Sequence, residues 1–203
     1  MRLAEEFTHT IEIEKSRFIC ILSRVFSEAE AREKIQSIRK AMPDATHHCT
    51  AFVIGENNEL ARSNDDGEPS GTAGVPMLEA LKRSGLHDTL AVVVRYFGGI
   101  KLGAGGLVRA YSRSVSESIS LAKKTKTMKM HHYVLTVPYN LLGKMEYTLK
   151  SCDVINKEYG EMVSLEFYAE SKDIETVISE CTSGKHLPVH LEETVVERVI
   201  AND

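Results

Sequence analysis

A chain of 203 residues with 42% apolar, 27% charged and 6% aromatic side chains has the composition of a soluble globular protein, long enough for one large domain or two small ones. Its formal net charge of −4 excludes a protein coated in basic surface for nucleic acid, and leaves room for a local basic patch. Cys20, Cys49, Cys152 and Cys181 stand far apart with no C-x-x-C pair, which argues against a zinc ribbon or thioredoxin-like site and fits reduced thiols in the cytosol.

MRLAEEFTHT at the N-terminus carries acids where a signal peptide would have its apolar stretch, and the run Leu90 to Val94 is far too short to cross a bilayer. A cytoplasmic protein with no membrane segment is expected. Ile11 to Lys15 and Arg17 to Val25 predict two strands or one long bent strand. Ser27 with Glu30 three residues on is a capping-box pattern, and Ala31, Ile35, Ile38 and Met42 then repeat at helical spacing until Pro43-Asp44. Thr46 to Gly55 predicts a strand, Asn57-Asn58 a turn, and Glu59 to Ser63 a short second strand leading into the acidic loop SNDDGEPSGTAG, Ser63 to Gly74.

Thr72 is placed to cap the next helix, which carries Val75, Leu78 and Leu81 and stops near Gly85. Leu90 to Phe97 is an uninterrupted apolar, β-branched run, the pattern of a strand covered on both faces. Gly98 to Gly106 turns the chain into a helix through Ala122 whose inward stripe is Leu107, Tyr111, Val115 and Ile119. KKTKT, Lys123 to Thr127, is polar and basic and is the expected boundary between domains at 1–125 and 128–203. Beyond it come a strand at His131 to Val137, a helix opened by Pro138, a hairpin at Val154 to Ala169, a helix capped by Ser171 and a last strand at Val189 to Ile200. That order is β-α-β-β-α-β, the split βαβ of ferredoxin-like domains.

Two stretches concentrate unusual chemistry. VVVRYFGGIKLGAGG, Val92 to Gly106, is a buried strand running into glycines, a lysine and a helix start. It fails as a P-loop, because Ala104-Gly105 stand where Lys-[Ser/Thr] is needed, and as a dinucleotide fingerprint, because Val108 stands where a small residue is needed. What remains is a turn built on Gly98, Gly99, Gly103, Gly105 and Gly106, a helix N-terminus and Lys101, geometry suited to an anion. Arg95, Lys101, Arg109 and Arg113 are the candidate charge partners, with Arg109 and Arg113 equally readable as a solvated helix face and Arg95 as the ion-pair partner of Asp65, Asp66 or Glu68. Tyr96 and Phe97 are candidate stacking residues, of which alternation along a strand allows at most one to serve an open face.

In the acidic loop, Asp65, Asp66, Gly67, Glu68 and Ser70 shape the site. The three carboxylates could bind a divalent cation, but their spacing fits no EF-hand, and a turn with Glu68 paired to Arg95 is the favoured alternative. His47, His48 and Cys49 lack a fourth ligand for zinc, and Ser70 and Thr72 lack a base. No catalytic residue, metal or cofactor is assigned.

THHCTAFVIG (Thr46 to Gly55), SNDDGEPSGTAGVPML (Ser63 to Leu78) and VVVRYFGGIKLGAGGLVRAYS (Val92 to Ser112) together resemble the YigZ/IMPACT family, over roughly the first 120 residues. The motif positions that transfer are Asp65, Asp66, Gly67, Glu68, Pro69, Gly71, Arg95, Phe97, Gly98, Gly99, Lys101, Gly103 and Gly106. The resemblance implies an α+β protein. Its first domain would be the α/β sandwich of the ribosomal protein S five domain 2-like superfamily, with a left-handed βαβ crossover, and its second would resemble the ferredoxin-like last domain of elongation factor G. It implies no agreed catalytic mechanism. IMPACT itself regulates translation by binding the activator of a stress kinase, a partner that does not carry over to bacteria. The function expected is therefore a non-catalytic cytosolic binding protein, a monomer or otherwise, that contacts RNA, the ribosome or a translation-associated protein. The alternative is a metal-dependent enzyme acting on a nucleotide or phosphoester.

Overall fold

The computed structural model describes residues 1–200. In chain order its elements are β1 (Arg2–Leu3), β2 (Phe7–Ile13), β3 (Ser16–Arg24), α1 (Glu28–Ala41), β4 (His47–Ile54), β5 (Leu60–Asn64), α2 (Gly74–Ser84), β6 (Thr89–Tyr96) and α3 (Gly103–Leu121). There follow β7 (Lys124–Val137), α4 (Tyr139–Thr148), β8 (Asp153–Tyr159), β9 (Val163–Ala169), α5 (Asp173–Thr182) and β10 (Val189–Ile200). The protein is thus a mixed α/β chain with two sheets and five α-helices among the described residues. It divides into two compact units, Met1–Lys126 together with the end of β10 from Val199, and Thr127–Arg198.

In the first unit the sheet order is β2-β3-β6-β4-β5, with every pair antiparallel. Since β3 and β4 are each antiparallel to β6, they run parallel to each other on either side of it, and α1 is the crossover between them. Strand β6 is the centre. Ala91 and Val93 enter a core built with Met77, Ala80 and Leu81 of α2 and Leu107, Ala110, Tyr111 and Val115 of α3. Leu90, Val92 and Val94 enter a second core with Ala31 and Ile38 of α1. Each of these valines is fully buried, worth about 1.5–3 kcal/mol of transfer free energy per side chain. The continuous apolar run reflects helices on both faces, here around an antiparallel rather than a parallel strand.

Sequence and structure differ at three places in this unit. Strand β2, expected over Ile11 to Lys15, begins at Phe7 and ends at Ile13, because Glu14 and Lys15 both adopt left-handed φ (47° and 61°) in a two-residue hairpin turn that pairs Ile13 with Ser16. The capping box of α1 forms, with Ser27 Oγ accepting the Glu30 N–H at 3.2 Å, but the Glu30 carboxylate returns to the N–H of Phe26 at 2.8 Å, outside the cap. Lys123 to Thr127, expected as a domain boundary, is strand from Lys124 on: it opens β7, where Thr125 and Lys124 pair with Arg2 and Leu3 of β1. Alternating Lys and Thr side chains satisfy the period of two that an extended strand requires, and Thr125 is buried.

In the second unit β10 and β9 flank β7, and β8 pairs with β9, giving the strand order β10-β7-β9-β8. Tyr133, Leu135 and Val137 of β7 and Val163, Leu165 and Phe167 of β9 share one face and pack with Met145 of α4 and Ile178 of α5. Among the described residues no helix is long and apolar enough to cross a membrane.

Candidate functional site

The end of β6 carries Arg95 on the same face as Ala91 and Val93, under α3. Cross-strand register sets Phe18 of β3 on one side of it and His47 of β4 on the other. A cation there would be costly to bury alone. Glu68 from the acidic loop removes that cost: its Oε1 accepts Arg95 Nη1 at 2.6 Å and the Tyr111 hydroxyl of α3 at 2.7 Å. The side chains of Arg95 and Glu68 are 6% and 3% exposed. Arg95 also reaches Ser16 Oγ at 3.4 Å, and its guanidinium lies over the rings of Phe18 (5.3 Å) and Phe97 (5.5 Å). Its Nε is buried without a hydrogen-bond partner.

The acidic loop reaches this position through a tight turn. Asp66 and Gly67 both have positive φ, and the Glu68 N–H closes on the Asp65 carbonyl at 3.0 Å. Asp66 spans to two elements, its carboxylate accepting the His48 N–H at 2.6 Å and pairing with Arg39 of α1. Asp65 organises the start of α2. Its carboxylate accepts the N–H groups of Gly71 (2.8 Å), Ala73 (3.0 Å) and Gly74 (2.8 Å). Burial works to raise the Asp65 carboxyl, but these three donors outweigh it and hold it below the usual carboxylate range. Thr72, expected to cap this helix, instead donates its hydroxyl to the Pro69 carbonyl at 2.7 Å. A carboxylate seven residues upstream of Thr72 supplanted it because it satisfies three donors where a hydroxyl satisfies one.

On the other side of Arg95 the chain leaves the sheet. The Phe97 N–H donates to Thr46 Oγ1 at 3.1 Å, and the Gly98 N–H to Ser16 Oγ at 3.1 Å. Gly98 presses on the β2–β3 turn so closely that a Cβ would stand 2.0 Å from the Lys15 carbonyl carbon, which restricts the position to glycine. Gly103 opens α3 with φ of 68°, and no side chain caps that helix. Gly105, by contrast, has open space where a Cβ would be.

Acidic loop and glycine turn line one cavity of about 440 Å³, walled by Pro69, Phe97, Leu102 and Leu107 with Arg95, Glu68, His47 and Lys101 as its polar groups. His47 Nδ1 lies 2.8 Å from the Asp66 carbonyl, so this nitrogen is the donor, and Nε2 is 3.9 Å from Glu68 Oε1. Lys101 and Leu102 also line a second cavity of about 530 Å³, which holds Arg109, Arg113, Glu14, Ile13 and Ile100.

The predicted cations are therefore separated. Arg95 is part of a buried, neutralised network, whereas Lys101 and Arg109 are exposed and have no ion-pair partner among the described residues. Arg113 pairs with Glu117 at 2.6 Å on the helix surface. Tyr96 turns to the other face, where Arg17 covers its ring at 4.5 Å, and Phe97, 47% exposed, faces the cavity. Ser70 is exposed and lies outside the cavity lining. Asp65, Asp66 and Glu68 point to three different sets of partners, and no group of three potential metal ligands occurs among the described residues.

Tyr111, Ser16 and Thr46 belong to the site although none of them was singled out as a candidate site residue from the sequence. Tyr111 stood in the inward stripe of α3, where its hydroxyl was the one polar atom among aliphatic neighbours and so required a buried partner. Burial, followed by the nearby Cys49 and Glu68, pushes its phenol well above the usual range. Burial likewise pushes the Cys49 thiol up to about 12.

Fold and site define a two-unit α/β protein with a basic glycine turn set over a buried Arg–Glu–Tyr network. Residues 14–119 match the Impact N-terminal domain, and the chain belongs to the IMPACT family. It is 51% identical to IMPACT family member YvyE of Bacillus subtilis, over 95% of this chain and 91% of that one. It is 42% identical to IMPACT family member YigZ of Escherichia coli, over 76% and 78% of the two chains. Among solved structures it is similar to the crystal structure of a hypothetical protein at 36% identity and a TM-score of 0.60, covering 94% of this chain and 96% of that one.

Proposed function

We propose that the chain is a non-catalytic cytosolic binding protein with a translation-linked regulatory role, and that its ligand contacts the glycine turn at Phe97 and Lys101. Membership of the IMPACT family supports the translation link, because resemblance to that family implies such a role. Four free thiols accord with the cytosol. The observation that carries the binding reading is the division of labour at the cavity: Glu68 and Arg95 are consumed by each other, while Lys101 and Phe97 stand open beside them. A metal-dependent phosphoester enzyme would need Asp65, Asp66 or Glu68 to abandon the N–H groups, Arg39 or Arg95 that each now holds.

The finer fold assignment belongs to the same proposal. The first unit is taken as ribosomal protein S five domain 2-like over 1–125, supported by the crossover of α1 between β3 and β4 across an intervening strand. The second, over 128–203, is taken as ferredoxin-like and akin to the last domain of elongation factor G. Numbering its own four strands in order, the arrangement β10-β7-β9-β8 is 4-1-3-2 in a βαββαβ chain.

Co-sedimentation of the full chain with ribosomes tests the function. The expected result is binding at low salt that falls as salt rises and is weakened by Lys101→Ala. Wild-type protein that neither co-sediments with ribosomes nor binds RNA at low salt would overturn the proposal.

A further inference from the structure

The two cavities at the glycine turn meet along Lys101 and Leu102, which line both. They differ in chemistry. One is a largely apolar slot with the half-exposed ring of Phe97 on its wall and His47, Arg95 and Glu68 beside it; the other holds Arg109, Arg113, Lys101 and a single carboxylate, Glu14, among Ile13, Ile100 and Leu102. We infer that together they hold a short stretch of single-stranded nucleic acid, RNA in the setting proposed above, with one base in the Phe97 slot and the backbone crossing Lys101 so that the adjoining phosphate meets Arg109. The inference rests on the translation-linked reading and names the ligand of that same site.

Each part of such a ligand has a matching group. The slot's volume of about 440 Å³ lies in the range of small-molecule sites, roughly 300–1,000 Å³, and accepts a base with its sugar. The Arg95 guanidinium lies over the Phe97 ring at 5.5 Å, and the Phe97 backbone N–H is tied to Thr46, so the ring is anchored as a platform. Fixed aromatic platforms bind unstacked bases without regard to sequence. His47 is oriented by the Asp66 carbonyl at Nδ1, and its Nε2, 3.9 Å from Glu68 Oε1, is the ring nitrogen left to meet the edge of a base. Lys101 and Arg109 carry no ion-pair partner among the described residues, so a phosphate displaces no carboxylate from either.

An acidic peptide would satisfy Lys101 and Arg109 but would leave the apolar slot without a planar group. Duplex RNA offers phosphates with its bases stacked inside and cannot reach the slot. Single strands supply both components, a planar base and an adjoining phosphate. Two phosphate contacts imply a modest salt dependence, a slope of log K on log salt of about −1.4, so stacking must carry much of the affinity.

The test is fluorescence anisotropy of the full chain with a labelled single-stranded RNA, the same RNA as a duplex, and a labelled oligoglutamate peptide, with ribosome co-sedimentation run in parallel. The single strand is expected to bind in preference to the other two. Phe97→Ala should weaken it roughly 5- to 150-fold, the loss of one stacked base, and Phe97→Tyr should restore it. Lys101→Ala and Arg109→Ala should each flatten the salt slope by about 0.7. All three positions are exposed, so the variants fold. Equal affinity for the duplex, preference for oligoglutamate, unchanged affinity in Phe97→Ala, or an unchanged salt slope in both cation variants would overturn the inference. Ribosome binding without single-strand binding overturns it while the translation-linked reading stands; absence of both overturns both.

Discussion

Glu68 Oε1 lies 2.6 Å from Arg95 Nη1, with only 3% and 6% of the two side chains exposed, and no other carboxylate pairs with that guanidinium among the described residues. The pair joins the acidic loop to the central strand, and Tyr111 adds α3 through the same carboxylate oxygen. Three segments distant in sequence thus converge on one atom.

Removal of Glu68 therefore strands two polar groups at once. Glu68→Ala leaves Arg95 as an uncompensated buried cation and the Tyr111 hydroxyl without its acceptor. A loss of about 3–5 kcal/mol in unfolding free energy is expected, the range for breaking a buried pair from one side. Glu68→Gln, which keeps an acceptor, should lose less. Urea denaturation followed by circular dichroism measures both; a loss in Glu68→Ala below about 1 kcal/mol, the level of an exposed pair, contradicts this account.

Asp65 gives a prediction in pH. Its carboxyl is held below the ordinary aspartate value of 3.8 by three backbone donors, so its folded state prefers the ionised form. Stability from this group is complete well above 3.8 and is lost as pH falls through and below that value. Asp65→Asn should be less stable than wild type by about 0.5–2 kcal/mol near neutrality, as for a lost helix cap. That difference should be constant from pH 7 to about 5 and shrink below about 4, because wild type alone loses the contribution. Thermal denaturation of both proteins across this range decides it, and a gap that widens in acid would refute the assignment.

Gly98→Ala tests the contact between the glycine turn and the β2–β3 turn. The new Cβ would stand 2.0 Å from the Lys15 carbonyl carbon and 2.5 Å from the Ser16 nitrogen, both backbone atoms that cannot swing aside. Overpacking of this kind costs about 1–3 kcal/mol or more and should displace Ser16, whose hydroxyl serves both Gly98 and Arg95. Gly105→Ala, with open space around the new methyl, is the control and should be neutral or stabilising in its helix. Melting temperatures of the two variants separate steric need from mere helix propensity.

Much of this architecture was legible in the residues. The apolar run of β6 announced a strand covered twice, and Ser27 with Glu30 announced the start of α1. Glu68 was legible as a partner for Arg95 because the strand-end arginine needed an acid and the loop offered one. Hidden were the events that depend on distance in space. Nothing local in NDDGEP tells that Asp65 caps α2 while Asp66 holds β4 and α1, since both are equally suited to a turn. Likewise Arg95 and Lys101 look alike on paper, and only the burial imposed by Phe18, Phe97 and Tyr111 separates a structural cation from an exposed one.

That separation yields the last prediction. Arg95 and Lys101 both line the cavity, yet their removal should disturb binding by different routes. Arg95→Ala leaves Glu68 buried without its cation and takes away the guanidinium over the Phe97 ring, so lost binding should come with lost stability, about 3–5 kcal/mol. Arg95→Lys should rescue little, because an ammonium cannot span Glu68 and Ser16 as a planar fork does. Lys101→Ala touches only an exposed side chain and should leave stability within about 0.5 kcal/mol of wild type. Its effect on ribosome or RNA binding is then a direct reading of a surface contact. Melting curves measured beside co-sedimentation for the three variants distinguish the two routes. If Arg95→Ala melts like wild type while binding is lost, Arg95 is itself a ligand contact and the structural role assigned to it is wrong.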